Sequence, residues 1–355
     1  LRDFELGQAK PLYQSRSRSL HNLPSPRRDL IKRNNYLVPN SIVVSRGCPH
    51  HCDFCYKDSF FRGGKSFYTQ RVDDALSEIS RLRGRHLYFL DDHLFASEAF
   101  ALSLLKGMRG MNRLWQAAGT IQSVLRPGLM AEAAKSGLKS LFLGFETVNK
   151  GNLTTQNKLH NMNDYTKAIH ILRDLGVMIN GSFVFGMDED QPDVFERTVD
   201  WALKNGIETA TFHILTPYPG TALFDRMRRD NRLLHSDWDL YDTRHSVFQP
   251  ANMTTNQLES GYWKAYKDFY KWTSIFKSAK AKATLLGSLR HIAYAGGWKK
   301  FDPLWHLLIR LNRHTGMLPL LEKILSGFTS VSYKDIPTRE NEMSQDDESP
   351  NRLML

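Results

Sequence analysis

Between Ser41 and about Asp230 the chain alternates six times between a short β-branched or aromatic run and a helical segment. That alternation admits few folds. Strand-sized runs fall at 41–45, 86–90, 115–124, 140–145, 178–185 and 208–215, and helical spacing appears at 72–82, 97–108, 129–136, 164–175 and 194–204. Strands that alternate with helices pair in parallel through right-handed crossovers. Six units in this length suit an α/β fold of the partial (β/α)6 barrel type, open on one side, better than an eight-stranded barrel. No closer internal repeat is visible.

The flanks differ in texture. Residues 1–40 carry Pro11, Pro24, Pro26 and Pro39 with Ser/Arg alternation, and read as an extended segment or linker ahead of a barrel at 41–240. After Arg244 the pattern turns helical and aromatic, with helices expected at 254–270, 275–295 and 303–313, so 241–330 reads as a helical C-terminal extension. Residues 331–355 are polar and acidic and are expected to be disordered. The first residues show no apolar core or cleavage site of a signal peptide. The absent initiator Met suggests a piece of a longer product. No run of eighteen apolar residues appears, which argues against a spanning helix and fits a cytoplasmic location.

Only three cysteines occur among 355 residues, and all fall within Cys48-Pro-His-His-Cys52-Asp-Phe-Cys55, directly after the first strand. A disulfide framework needs pairs spread along the chain. Thiolates on one tight loop suit an iron–sulfur cluster, and three of them leave one iron of a [4Fe–4S] cluster without a protein thiolate. The competing reading is zinc, with His50 or His51 as fourth ligand, in a basic module that binds nucleic acid or a membrane surface. Both histidines lie inside the tight loop, which strains that geometry. Three small core residues clustered by chance is the blandest account.

C-x3-C-x2-C with an aromatic before the last cysteine, here Phe54, resembles the hallmark of the radical S-adenosylmethionine (SAM) superfamily, and the resemblance runs from about residue 40 to residue 230. It implies metal ligands Cys48, Cys52 and Cys55. SAM would chelate the open iron and be cleaved reductively to a 5′-deoxyadenosyl radical for C–H functionalisation, such as methyl transfer or ring rearrangement. It also implies that Phe54 lies near the adenine, that Asp91 and Asp92 contact the methionine amine, and that Glu146 lies near the ribose. The strand bearing Gly181 and Gly186 would support the adenine. For Asp91-Asp92 a helix cap is the alternative, and for the glycines plain packing. The Pro217-Tyr-Pro-Gly-Thr221 loop, the Leu23-Pro-Ser-Pro-Arg-Arg segment and the aromatic helix around Tyr262 are similar to the cobalamin-dependent subgroup. No cobalamin domain is visible, which makes cobalamin a conditional cofactor.

The formal charge of +11 is uneven: ten Lys/Arg against Asp302 and Glu322 lie between Lys271 and Gly327. A solvated face is the ordinary account of such a patch. The stripe of Trp298, Trp305, Leu307, Leu308, Ile309 and Leu311 among bases either packs on the barrel or lies in a membrane interface through 298–313. Expected partners are a small-molecule substrate, lipid-like if the stripe is interfacial, and an electron donor such as flavodoxin or ferredoxin, with no nucleic acid.

Overall fold

The apolar runs around Leu141 and Phe183 are buried on the helix side and lie side by side in the sheet, as strands of a helix-flanked parallel sheet should. The computed structural model describes residues 2–13, 18–33, 36, 38–155, 162–299 and 318–327. In chain order the strands are β1 (Ser41–Ile42), β2 (Ser45–Gly47), β3 (Phe67–Thr69), β4 (His86–Phe89), β5 (Leu114–Thr120), β6 (Leu138–Glu146), β7 (Met178–Phe185) and β8 (Thr209–Ile214). Six of them form one parallel sheet in the order β1, β4, β5, β6, β7, β8, while β2 and β3 form an antiparallel ribbon that brackets the cysteines. Register runs across the sheet from Tyr88 to Gln116, from Gln116 to Ser140, from Phe142 to Asn180 and from Asn180 to Thr209.

The crossover helices are α1 (Val72–Arg81), α2 (Glu98–Gly107), α3 (Leu129–Lys135), α4 (Met162–Asp174) and α5 (Val194–Lys204), followed by α6 (Ala222–Arg229). Side chains alternate across each strand. Phe145, Phe183 and Phe212 face the helices, where the Trp201 ring of α5 meets Phe145 edge-on at 5.2 Å. The other set, which includes Gln116, Ser140, Asn180, Thr211 and His213, lines a polar lumen.

The exposed edge of β8 is not left bare. In α7 (Thr255–Phe269) and just beyond it, two tyrosine hydroxyls stand in for a neighbouring strand. Tyr270 accepts from the Ala210 N–H at 3.0 Å and donates to its carbonyl at 2.9 Å; Tyr266 accepts from the Phe212 N–H at 3.1 Å. Edge groups covered in this way cannot template a foreign strand.

The N-terminal ends of the strands are closed by α8 (Trp272–Ala279), α9 (Leu285–Lys299) and α10 (Leu318–Leu325). Tyr294 accepts from Gln116 Nε2 at 3.0 Å, and Leu325 packs with Leu114, Met178 and Tyr294. Glu322 accepts the N–H groups of Arg85 and His86 at 3.3 and 3.1 Å, and Lys282 donates to the buried Glu208.

Several expected boundaries move for local reasons. The 115–124 run ends as a strand at Thr120, which caps a helical turn, Ile121–Val124, through a reciprocal bond with Ser123. The 41–45 run breaks at Val43–Val44, where Asp91 takes the N–H groups of Val44 and Ser45. The helix expected at 275–295 is two helices, separated where Lys282 turns inward to Glu208. The N-terminal segment includes a helical turn (Arg2–Glu5) and a 3-10 turn (Arg28–Leu30), and is fastened to the barrel by Arg18 on the Phe61 carbonyl (2.6 Å) and Arg28 on Glu78 (2.6 Å). The helix expected at 303–313 and the tail at 331–355 lie outside the described residues, as does nearly all of 298–313.

Candidate metal and cofactor centre

The cysteine segment is delivered by a turn that only glycine takes easily. Gly47 has φ +87°, and a Cβ there would collide with the Ser66 carbonyl just ahead of the neighbouring ribbon strand. The Cys55 N–H then returns to the Cys52 carbonyl at 3.0 Å, closing the second half of the motif into a turn. None of the three cysteines is in a disulfide, and each is partly exposed.

Two adjacent acids hold this segment from below. Asp91 is buried at the end of β4 and spends its carboxylate on main chain and a hydroxyl, accepting from Val44 N–H at 3.1 Å, Ser45 N–H and Ser45 Oγ. Burial pushes its carboxyl up to about 7 against the pull of these donors. Asp92 accepts the Gly47 N–H at 2.9 Å and pairs with Lys57 Nζ at 3.3 Å. Lys57 thus places a cation beside Cys48 and Cys55. Burial raises the Cys48 thiol, while the His50 main-chain N–H and the charge of Lys57 work in the opposite direction.

The loop is also tied sideways. Asp53, between the second and third cysteines, receives Arg226 of α6 at 3.4 Å, and its carbonyl accepts the Leu223 N–H at 2.9 Å. Arg226 reaches Asp188 at 2.8 Å, which Arg232 also pairs at 2.7 Å. Ser59 bonds to the Gly220 carbonyl in the Pro-Tyr-Pro-Gly-Thr loop. That loop thereby fastens the segment that follows the cysteines.

The two histidines of the motif are engaged elsewhere. The His50 ring stacks on the buried His93 with centroids 5.5 Å apart, and His51 Nδ1 meets Asp58 at 2.9 Å. Among the described residues no three His, Cys, Asp or Glu side chains are grouped to hold a single metal ion. A Cys3His zinc centre thus finds no support. A cuboidal cluster takes one thiolate at each of several separate irons, and three partly exposed sulfur donors beside a lysine fit that demand.

The remaining expected residues separate by position. Phe54 is half-buried against the main core. Glu146 ends β6 across a bulge and holds φ +63°, a left-handed conformation unusual for a residue with a side chain. Its carboxylate lies over Gly144, where a Cβ would come within 2.5 Å of Oε1. Gly181 faces the helix side, where a Cβ would press on the Phe183 ring at 3.0 Å, so its smallness serves packing. Gly186 turns the chain at φ +94°, and its N–H donates to Asp190 at 3.0 Å.

Sequence reasoning missed His213. It sits near the C-terminal end of β8 on the lumen side, with Nδ1 3.3 Å from Thr243 Oγ1. Burial lowers its pKa, while Glu146 is near enough to pull it back. Thr243 is itself left-handed, at φ +67°, rare for a β-branched residue, and its carbonyl accepts the Ile214 N–H at 2.7 Å. The signal was available: a histidine at a lumen-parity position of a strand. Two left-handed residues, Glu146 and Thr243, thus lie near His213 at the C-terminal end of the lumen.

Residues 42–202 match the family model described as the radical SAM superfamily. The bacteriochlorophyllide d C-12(1)-methyltransferase of Chlorobaculum tepidum is 31% identical over 258 residues, which are 71% of this chain and 55% of that protein. The hopanoid C-2 methylase of Rhodopseudomonas palustris is 26% identical over 226 residues, 60% of this chain and 42% of that one. Among solved structures, OxsB, described as a cobalamin-dependent S-adenosylmethionine radical enzyme with aqua-cobalamin and S-adenosylmethionine bound, aligns at TM-score 0.52. That alignment has 12% identity and covers 86% of this chain and 57% of OxsB, which speaks for the fold alone. The chain spans about half the length of the curated relatives it matches.

Proposed function

We propose, for a chain that belongs to the radical SAM superfamily, that it is an enzyme which holds a [4Fe–4S] cluster on Cys48, Cys52 and Cys55 and cleaves SAM reductively for C–H functionalisation. The observation that carries this reading is a three-thiol loop clamped by Asp91 and Asp92 at the C-terminal end of a parallel barrel, where such folds keep their chemistry. The cluster, when bound, supplies the electron for SAM cleavage, drawn from a flavodoxin- or ferredoxin-type donor. This chain's residues supply placement and electrostatics.

Asp91 fixes the main chain that enters the loop. Lys57, paired with Asp92, offsets the charge of the thiolates. Arg226 keeps the Asp53 side of the loop against α6. Phe54 is assigned to the adenine, Asp92 to the methionine amine and Glu146 to the ribose, with Gly181 and Gly186 offering the main chain of β7. His213, whose pKa burial lowers while Glu146 pulls it back, faces the lumen from β8. We take 41–240 as the catalytic barrel, 1–40 as a linker and 241–330 as a helical extension.

The reaction class we favour is methyl transfer, with ring rearrangement as its neighbour, on an apolar small molecule of the macrocyclic or lipid-like kind named for the relatives. Cobalamin would join through protein outside this chain, as the greater length of the relatives allows. Of the expected partners, the donor and a membrane contact through 298–313 stay within this proposal. No described helix is long and apolar enough to cross a membrane.

Anaerobic reconstitution should load about four irons per chain. Incubation with SAM and a strong reductant should then release 5′-deoxyadenosine and methionine. A fully loaded chain that releases neither contradicts the proposal.

A further inference from the structure

Helices α8 and α9 form a hairpin beneath the N-terminal ends of the strands. Arg290 of α9 donates to the Gly176 carbonyl just before β7, and Lys282 between the helices bonds to the Gly206 carbonyl before β8. The inner side of the hairpin is buried at Ile275, Ala279, His291, Tyr294 and Ala295. Its outer side is not. Trp272 is 44% exposed, Phe276 49%, Leu285 79% and Leu289 50%.

These four side chains belong to one ridge. The Trp272 and Phe276 rings stack at 5.9 Å, and Trp272 lies against Gly296, where a Cβ would come within 3.1 Å of the indole. Leu289 lies seven residues before Gly296 and Leu285 four before Leu289, so all three share one face of α9. Large exposed apolar groups gathered on one face mark an interaction surface rather than ordinary surface scatter.

The charge around the ridge selects the partner. From Lys271 to Phe301 the sequence holds seven Lys/Arg and no Asp or Glu. The acids that approach from neighbouring helices, Asp268 and Asp200, are already paired with Lys264, Lys271 and Lys277, and Glu208 is buried with Lys282. The segment of this chain that follows, 302–317, carries Arg310 and Arg313 against Asp302 alone. It therefore adds like charge and offers no neutralisation. Seven bases against Asp200, Glu208 and Asp268 leave a net positive charge beside the ridge, and aromatic and leucine side chains next to such a surplus match the interface of a bilayer that contains anionic lipid.

We propose that the α8–α9 ridge docks this protein peripherally on an anionic lipid surface, with Trp272, Phe276, Leu285 and Leu289 at the acyl boundary and Lys277 and Lys280 among the headgroups. The cysteine loop lies at the other end of the barrel, so docking leaves the cofactor face turned toward the aqueous phase. Membrane attachment at this face does not depend on the chemistry at the opposite one.

The test is flotation of the full chain, cluster-loaded, with vesicles of phosphatidylcholine alone or mixed with phosphatidylglycerol. Binding is expected only with the anionic lipid, and it should weaken between about 0.1 M and about 1 M salt as charges are screened. Each of Lys277→Glu and Lys280→Glu should weaken binding by about fivefold or more. The double variant Phe276→Glu, Leu289→Glu should weaken it by at least about tenfold. Because these positions are exposed, iron content and thermal melting should stay at the parent values. Absence of flotation with anionic vesicles overturns the proposal, as does a double variant that floats like the parent. A homodimer on a sizing column that the double variant splits would overturn it too, by assigning the ridge to a second copy.

Discussion

At the C-terminal ends of the strands, the three cysteines and Asp92 are partly exposed above a buried Asp91 that is held by main-chain bonds, with left-handed residues nearby at 146 and 243. At the N-terminal ends, the charged groups Glu208, Glu322 and Lys282 are withdrawn from solvent, and Lys282 is paired with Glu208 under α9 and α10. The same sheet supports both. The difference teaches where each end keeps its free energy: the bottom is tied to stability, and the top gives some up to keep thiols and carboxylates available.

Substitutions at the two ends should therefore separate function from folding. The largest effect is expected from Cys52→Ala. Iron content should fall from about four per chain to near none, with 5′-deoxyadenosine lost, while the melting temperature of the apo chain barely moves. A variant with full iron would break the comparison at its top end. Lys282→Met is the mirror image. It strands a buried carboxylate and should destabilise the fold by about 3–5 kcal/mol in denaturant titration, with iron stoichiometry retained in the folded fraction.

One buried group at each end should answer pH with the opposite sign to the other. Burial lowers His291 from 6.5 to about 4, so the unfolded chain binds the extra proton between these values. Stability from this group is present above about 6.5 and lost as pH falls toward 4. Burial raises Asp190, at the end of β7, from 3.8 to about 6, so here the folded chain holds the extra proton. Its contribution is present below about 4 and lost as pH rises toward 6. Each shift is about two units, on the order of 3 kcal/mol at most. Melting curves for His291→Gln and Asp190→Asn across this range should flatten opposite limbs of the profile. A shared direction would contradict the assignment.

Smaller effects sharpen the picture. Tyr270→Phe leaves the Ala210 N–H and carbonyl without their partner at the edge of β8 and should destabilise by about 1–3 kcal/mol. Arg226→Ala should change stability by only about 1 kcal/mol or less, since the pairs are partly exposed. It should nonetheless speed loss of iron to a chelator several-fold, because the Asp53 side of the loop is released.

The strand at 178–185 and the helix at 194–204 were legible to the residue, since a run rich in apolar residues between Gly176 and Gly186 and a clean helical period leave little choice. The cysteine loop was legible because its ligands are contiguous. What escaped was whatever depends on chain-distant partners. Nothing local to Asp91 says that it will take the N–H groups of Val44 and Ser45, and nothing local to Tyr266 or Tyr270 says that they will finish a sheet edge. Arg226 and Asp53 are 173 residues apart. The split of 275–295 into two helices also follows from a tertiary bond, that of Lys282 to Glu208, which overrides local helical spacing.

The account turns on three thiolates that leave one iron of a cluster open at the top of the barrel. Electron paramagnetic resonance of the reduced, reconstituted chain during SAM titration tests that directly. A saturable change in the cluster signal, with hyperfine coupling to isotope-labelled methionine nitrogen or carboxylate oxygen, is the predicted result. A cluster spectrum unaltered at saturating SAM would contradict it.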